Sequence, residues 1–192
     1  QSLKEIKSII TNKLKDIKKG EWVLGFGWDQ NLWDKKLFPE ASFLNNISPD
    51  HPLYLTRIDG HAAWVNNNAI KKINSTSENL STIDGGKVIN DCIMIDNAMS
   101  PFKNYLPKED KEQVKKWIHR AAHNALNMGI TGVHDAWQDK TIVQAIMELI
   151  QEKKFPIRCY GMLAGNDQQL LNQYFTNGHY HNKYYIQHNQ KN

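Results

Sequence analysis

Long apolar runs are missing from this chain. No stretch approaches the ~20 residues that a membrane span needs, so no membrane partner is expected. Cysteine is scarce: Cys92 and Cys159 stand far apart and form no CxxC or other metal-ligand spacing. Two small buried thiols in a reducing compartment are the expectation, and with no signal peptide visible this points to the cytoplasm. The first residue is Gln rather than Met, so the natural start is expected to lie upstream. Net positive charge is missing from the main body. The formal charge is +4, and six Lys against Glu5 and Asp16 in residues 1–20 account for all of it, leaving the other 172 residues neutral. A nucleic-acid binder needs a basic face beside aromatic platforms, and the body offers none. A Ser-centred elbow, a P-loop and HExxH are also absent.

What is present suits a globular domain. With 192 residues, 40% of them hydrophobic, and six Trp, the chain can bury a real core. Residues 1–20 read as an amphipathic helix with Leu3, Ile6, Ile9, Ile10, Leu14 and Ile17 on one stripe, its Lys residues forming a solvated face. Residues 1–106 are irregular, and Asn74 to Gly86 reads as loop. From Pro107 the texture becomes regular. A helix over 108–128 starts with Glu109 and Asp110 at its positive end and stops at Gly129. Ile130 to Val133 reads as a strand ending in His134-Asp135. Helices over about 139–152 and 167–176 alternate with strands at Pro156 to Leu163 and Tyr184 to Ile186.

Those strands start 26 and 27 residues apart, the spacing of βα units in a parallel sheet or (β/α)8 barrel. Too few units are present to close a barrel, which takes about 250 residues. The expected fold is therefore α/β: a partial TIM barrel with an irregular α+β insertion. Residues 1–106 would hold the insertion and early barrel region, and 107–192 consecutive βα units.

Barrel chemistry sits at the C-terminal ends of strands. That rule selects Gly25-Phe26-Gly27-Trp28-Asp29-Gln30, Asp59-Gly60-His61, His134-Asp135 and the polar end Asp96-Asn97. Asp59-Gly60-His61 follows the strand-like Pro52-Leu53-Tyr54-Leu55-Thr56, and a helix pattern begins directly after it. A strand-to-helix junction exposes backbone amides to ligands. Each candidate has a plainer reading. Gly25-Phe26-Gly27 lacks the third Gly of a dinucleotide fingerprint. Trp28 can be packing, and Asp29 a cap. His134-Asp135 can be a buried pair or an acid and base converging with His61. His179-Tyr180-His181 has metal spacing, but it precedes its strand with no third ligand nearby, so a surface loop is the better reading.

Gly25 to Gln30 with Trp33, then Pro52 to Asn66, then Ile95-Asp96-Asn97-Ala98-Met99, then Gly129 to Ala136, follow in order. Arg158-Cys159-Tyr160-Gly161-Met162-Leu163 fits as a further strand. Together these motifs resemble amidohydrolase family 3, a branch of the metal-dependent amidohydrolases that includes N-substituted formamide deformylase. The resemblance implies a (β/α)8 hydrolase acting on a small-molecule amide-type substrate at a non-peptide carbon–nitrogen bond. It implies a divalent metal, zinc, activating water in the full-length enzyme. The family's first HxH would lie upstream of residue 1, and its remaining ligands and catalytic Asp downstream, so no metal is expected on this chain. By carry-over Asp59, Gly60, His61, Trp28 and Asp29 would contact substrate. His134 and Asp135 would be the catalytic candidates, near the metal in a positioning role. The chain then reads as a middle fragment, inactive alone and homodimeric when full length. The rival reading is a non-catalytic binding module that has kept the fold. The resemblance leaves the segment 84–97 shorter than the family pattern.

Overall fold

The computed structural model describes residues 2–108, 110–178 and 181–188. The chain divides into two compact units, Gln1–Pro107 and Lys108–Asn192.

The first unit opens with α1 (Leu3–Lys13), capped by Ser2, whose side chain accepts from the Glu5 N–H, and continued by a 3-10 turn at Leu14–Asp16. Ile10 is buried and Ile6, Leu14 and Ile17 pack around it, whereas Ile9 stays 61% exposed, so the stripe buries only along its centre. The strand β1 (Val23–Trp28) and the short helix α2 (Ala41–Ile47) lead to β2 (Leu53–Arg57). β1 and β2 run parallel, with a register break between Phe26 and Trp28 where Gly27 takes φ 96°. β2 turns straight back into β3 (Ala62–Val65). The helix expected directly after His61 is thus a strand, and helix α3 (Asn67–Lys72) begins only beyond it. Ala62 and Ala63 favour helix in isolation, but pairing on both edges and complete burial of Ala63, Trp64 and Val65 override that preference.

The stretch expected as loop contains α4 (Ser77–Ser81) and part of β4 (Gly86–Ile89). Thr76 caps α4 by accepting from the Asn79 N–H, and Leu80 anchors it in the core at 1% exposure. With β5 (Ile93–Asp96) the five strands lie in the order β1-β2-β3-β5-β4. All pairs after the first are antiparallel. One core lies on the face of Trp64, with Trp28, Trp33, Leu44 and Leu53; the other holds Ala63, Val65, Met94, Ala98 and Phe102. The rings of Trp28, Trp33, Phe38 and Phe43 gather around Trp64 or one another at 5.3 to 6.5 Å. These offset and tilted contacts are favourable beyond area burial.

The second unit alternates helix and strand: α5 (Lys111–Asn127), β6 (Gly132–Gln138), α6 (Lys140–Gln151), β7 (Arg158–Leu163), α7 (Gln168–Asn177) and β8 (Tyr185–His188). β6, β7 and β8 form a parallel sheet in sequence order. Ala122, Ile146, Leu149, Ile157, Cys159 and Tyr185 make the core between this sheet and helices α5 and α6. Glu148 accepts from Lys111 at 2.6 Å and Lys115 at 3.1 Å, linking α5 to α6 at the surface. Such solvated pairs add little stability. Among the described residues no helix is long and apolar enough to cross a membrane. The mixed α/β class is as expected.

Trp64 is fully buried at the centre of the first sheet. Trp64→Ala is expected to cost about 3–5 kcal/mol in denaturant unfolding, the range for deleting a buried aromatic side chain. A loss below about 1 kcal/mol would show that the Trp cluster is not what holds this unit together.

Candidate functional site

β1 and β2 end side by side, Trp28 opposite Arg57 in the register, and the Ile58 N–H donates to the Trp28 carbonyl at 3.0 Å. The chain then reverses through Ile58-Asp59-Gly60-His61. The Gly60 N–H donates to the Arg57 carbonyl at 3.0 Å, and Gly60 takes φ 77°, a left-handed value that a residue with a side chain adopts at a cost. Asp59-Gly60-His61 therefore forms the exposed tip of a hairpin rather than a strand-to-helix junction.

Side chains order this tip. The Asp59 carboxylate accepts from the His61 N–H at 3.1 Å and pairs with Arg57 at 3.4 Å. The His61 ring lies with Nδ1 2.9 Å from the Asp96 carboxylate. The Asp96 N–H donates to the His61 carbonyl at 3.0 Å, so backbone and side chain bind the same pair. Arg57 also lies over the Phe38 ring at 5.9 Å. The result is a compact polar group of Arg57, Asp59, His61 and Asp96. Asp96 was legible only as a polar strand end; its partnership with His61 crosses 35 residues and depends on sheet pairing.

Two other candidates in this unit serve structure. The Trp28 side chain is 4% exposed and its indole N–H donates to the Leu55 carbonyl at 2.7 Å. It packs in the core of this unit, the plainer of the two readings of this side chain, and the structure gives the substrate-contact reading no support. Asp29 accepts from the Asn31 N–H at 2.9 Å and caps the 3-10 turn at Gln30–Leu32, yet it remains beside the strand ends. Gly25 has a packing reason: a Cβ there would meet a Leu55 methyl at 2.7 Å. Asn66, at the end of the motif run, is also structural. It is 1% exposed, accepts from the Leu53 and Ala69 N–H groups and donates to the Ser48 and His51 carbonyls.

In the second unit His134 and Asp135 are separated by the alternation of β6. Val133 packs toward α5 and α6, and Asp135 shares that face. His134 lies on the other face, exposed, its ring stacked on Tyr160 at 4.9 Å. The two residues are also mid-strand, since β6 runs on to Gln138. Asp135 therefore does not orient the His134 ring: the two side chains leave β6 on opposite faces. The Asp135 carboxylate instead accepts from the Gln138 amide at 2.7 Å. The Gln138 oxygen accepts from the Tyr185 hydroxyl at 2.5 Å, and its nitrogen lies 3.7 Å from the Cys159 sulfur. Trp137 takes φ 67° at the register break between Asp135 and Gln138, which turns Gln138 into the core at 0% exposure. Gly161 leaves room for it: a Cβ there would meet the Gln138 oxygen at 2.2 Å. No local pattern marks Gln138, because the bulge at Trp137 breaks the period-2 alternation that would have pointed it inward. A hollow on this sheet, lined by Gly132, His134, Arg158, Tyr160 and Lys183 among others, sits at the strands' N-terminal ends.

The described residues do not make up a metal centre. No group of three or more His, Cys, Asp or Glu suited to a metal occurs among the described residues. His119 and His123 on α5 stack with ring centroids 4.4 Å apart but are only two. His179, one half of the HxH pair, lies outside the described residues, as does Glu109; His181 is exposed.

The pattern that defines the amidohydrolase family matches residues 1–191, and this chain belongs to that family. It is similar to Protein LONG AFTER FAR-RED 3 of Arabidopsis thaliana, 30% identical over 137 residues, covering 68% of this chain and 23% of that protein. It is 25% identical over 157 residues to the Putative amidohydrolase YtcJ of Bacillus subtilis (strain 168), covering 76% of this chain and 30% of that protein. Two solved structures share the fold. One is an uncharacterized metal-dependent hydrolase from Pyrococcus horikoshii, with a TM-score of 0.61 at 19% identity over 96% of this chain and 35% of that one. The other is from Pyrococcus furiosus, with a TM-score of 0.59 at 20% identity over 96% and 36%. The chain thus spans between 23% and 36% of these relatives' lengths.

Both cysteines are buried and free. Burial pushes the Cys92 thiol up to about 12 and Cys159 to about 11, with nearby carboxylates adding to each shift. Iodoacetamide at neutral pH is expected to leave both unmodified in the folded chain and to modify both in denaturant. Because the folded values exceed the unfolded ~8.5, this contribution to stability is complete below that pH and is lost as pH rises toward the folded values. Native-state alkylation at the unfolded rate would contradict this account.

Proposed function

We propose that this chain is part of a metal-dependent amidohydrolase acting on a small-molecule, amide-type carbon–nitrogen bond other than a peptide bond. Family membership over residues 1–191 carries the reaction class. The description of both Pyrococcus neighbours as metal-dependent hydrolases and of the Bacillus relative as a putative amidohydrolase supports it. In this reading β6, β7 and β8 with their connecting helices are an arc of a (β/α)8 barrel. Their parallel order and 26–27-residue spacing support that. The exposed Leu24 and Phe26 on the edge strand β1 also suit an element made to be covered.

The ligands of that metal, with zinc the expected ion, would come from other parts of the longer enzyme, since the described residues hold no group of three or more His, Cys, Asp or Glu suited to one. What this chain contributes is recognition. The hairpin tip, with Asp96 of β5 against it, presents a titratable ring, two carboxylates and a guanidinium, with Asp29 beside them. A longer enzyme containing this chain would use His61 and Asp59 to hold and orient the substrate. Gly60 keeps the tip narrow enough for the substrate to approach the backbone. His134, on the open face of the second sheet, is a separate candidate contact. Asp135, tied to Gln138, supports the fold beneath it.

His61→Ala in the longer enzyme is expected to lower kcat/KM by about tenfold or more, the loss of one substrate hydrogen bond, while metal content stays unchanged. Unchanged kinetics would remove His61 from the site. On its own the 192-residue chain is expected to retain no stoichiometric zinc in equilibrium dialysis at neutral pH. Zinc retained at one per chain and lost on His134→Ala would overturn the assignment of the ligands to other parts of the enzyme.

A further inference from the structure

We infer that Asp96 is a positioning residue that holds His61 as its Nδ1–H tautomer, so that Nε2 meets the substrate as a hydrogen-bond acceptor and the group recognised there is an N–H or O–H donor. The substrate half of this inference rests on the hairpin tip facing the substrate; the tautomer half does not. An ionised carboxylate can only accept, so the 2.9 Å contact between Asp96 and His61 Nδ1 requires the proton on Nδ1. A neutral imidazole carries one such proton, and Nε2 is left with its lone pair.

The contact is held by geometry on both sides. His61 is fixed by its own N–H donating to Asp59 and its carbonyl accepting from the Asp96 N–H. Asp96 is fixed by pairing opposite Gly86 and by Ile95 pairing with Ala62. Asp96 sits at φ 48°, ψ −116°, a left-handed conformation that glycine adopts more readily than any residue with a side chain. A carboxylate stands where the backbone would favour glycine, an outlier that points to a task for the side chain.

Stability is a poor account of that task. The side chains of His61 and Asp96 are 75% and 51% exposed. A solvated pair of this kind contributes little to folding. What it does control is which ring nitrogen carries a hydrogen. With Nε2 as acceptor and the carboxylates of Asp96 and Asp59 close by, the tip favours a donor such as an amide N–H or a hydroxyl. It disfavours a bare carboxylate, while Arg57 is already engaged with Asp59.

Long-range 1H–15N correlation of the histidine side chains tests this on the 15N-labelled chain at mildly alkaline pH, where imidazole is neutral. The His61 signals are identified by their loss in His61→Gln. The expected pattern is a protonated Nδ1 and an unprotonated Nε2. Asp96→Gly removes the carboxylate and suits the positive φ, so the backbone spectrum should persist while His61 moves to the Nε2–H form. An Nε2–H ring in the unmodified chain, or a tautomer indifferent to Asp96→Gly, would overturn the inference. If the tautomer behaves as expected but His61→Ala leaves turnover unchanged in the longer enzyme, the substrate half falls and the positioning half stands.

Discussion

The pairing of β3 with β5 is the constraint on which the first unit depends. It sets Ala62 against Ile95, Ala63 against Met94 and Trp64 against Ile93. Because side chains alternate along a strand, that register sends Trp64 and Ala62 to one core and Ala63, Val65 and Met94 to the other. A slip of one residue would exchange the two sets and bury nothing well. The same ladder ends one step further on, where the Asp96 N–H meets the His61 carbonyl. Core and hairpin tip are thus fixed by one register, and the exposed polar group inherits its precision from a fully buried strand.

The second unit handles its polar groups in the opposite way. Gln138, Tyr185 and Cys159 are buried, and their hydrogen bonds close on Asp135. The arrangement is chemically determined. A carboxylate needs a donor, so it selects the amide nitrogen, and the amide oxygen is then free to accept from the phenol. Burial pushes the Tyr185 hydroxyl well above its ordinary range, which keeps it a donor. A satisfied network of this kind specifies one packing, and it consumes Asp135. His134, one residue away, is left on the opposite face with Tyr160 as its partner.

How much of this was legible follows from where the information lies. The helices and strands after Pro107 follow local rules: caps, apolar periodicity and spacing. α5, α6, α7, β7 and β8 fall close to where the pattern puts them. The hairpin did not announce itself. Ala62-Ala63-Trp64-Val65 has no alternation to read, because both faces of β3 are buried. The five-residue α4 was hidden in a polar stretch, its existence resting on Thr76 and one buried leucine. At the site, the motif residues were identifiable, but their roles were not. Trp28 and Asn66 belong to the same run as His61 and work for the core. Asp96 gains its role from a contact that no local pattern encodes.

The hairpin also changes what kind of recognition the tip can perform. At a strand-to-helix junction, unpaired amides and the helix dipole would offer an anion site. Here the helix that follows, α3, starts at Asn67 on the far side of β3, and its cap is occupied: Asn66 spends its side chain on Ala69, Leu53, Ser48 and His51. Two of the turn's own amides are also committed, Gly60 to the Arg57 carbonyl and His61 to Asp59. In the proposed reading, selectivity at this end of the sheet would rest chiefly on the His61 ring and the acidic pair around it. Those groups accept hydrogen bonds and carry negative charge, so the tip suits a neutral or donor-bearing group better than an anion.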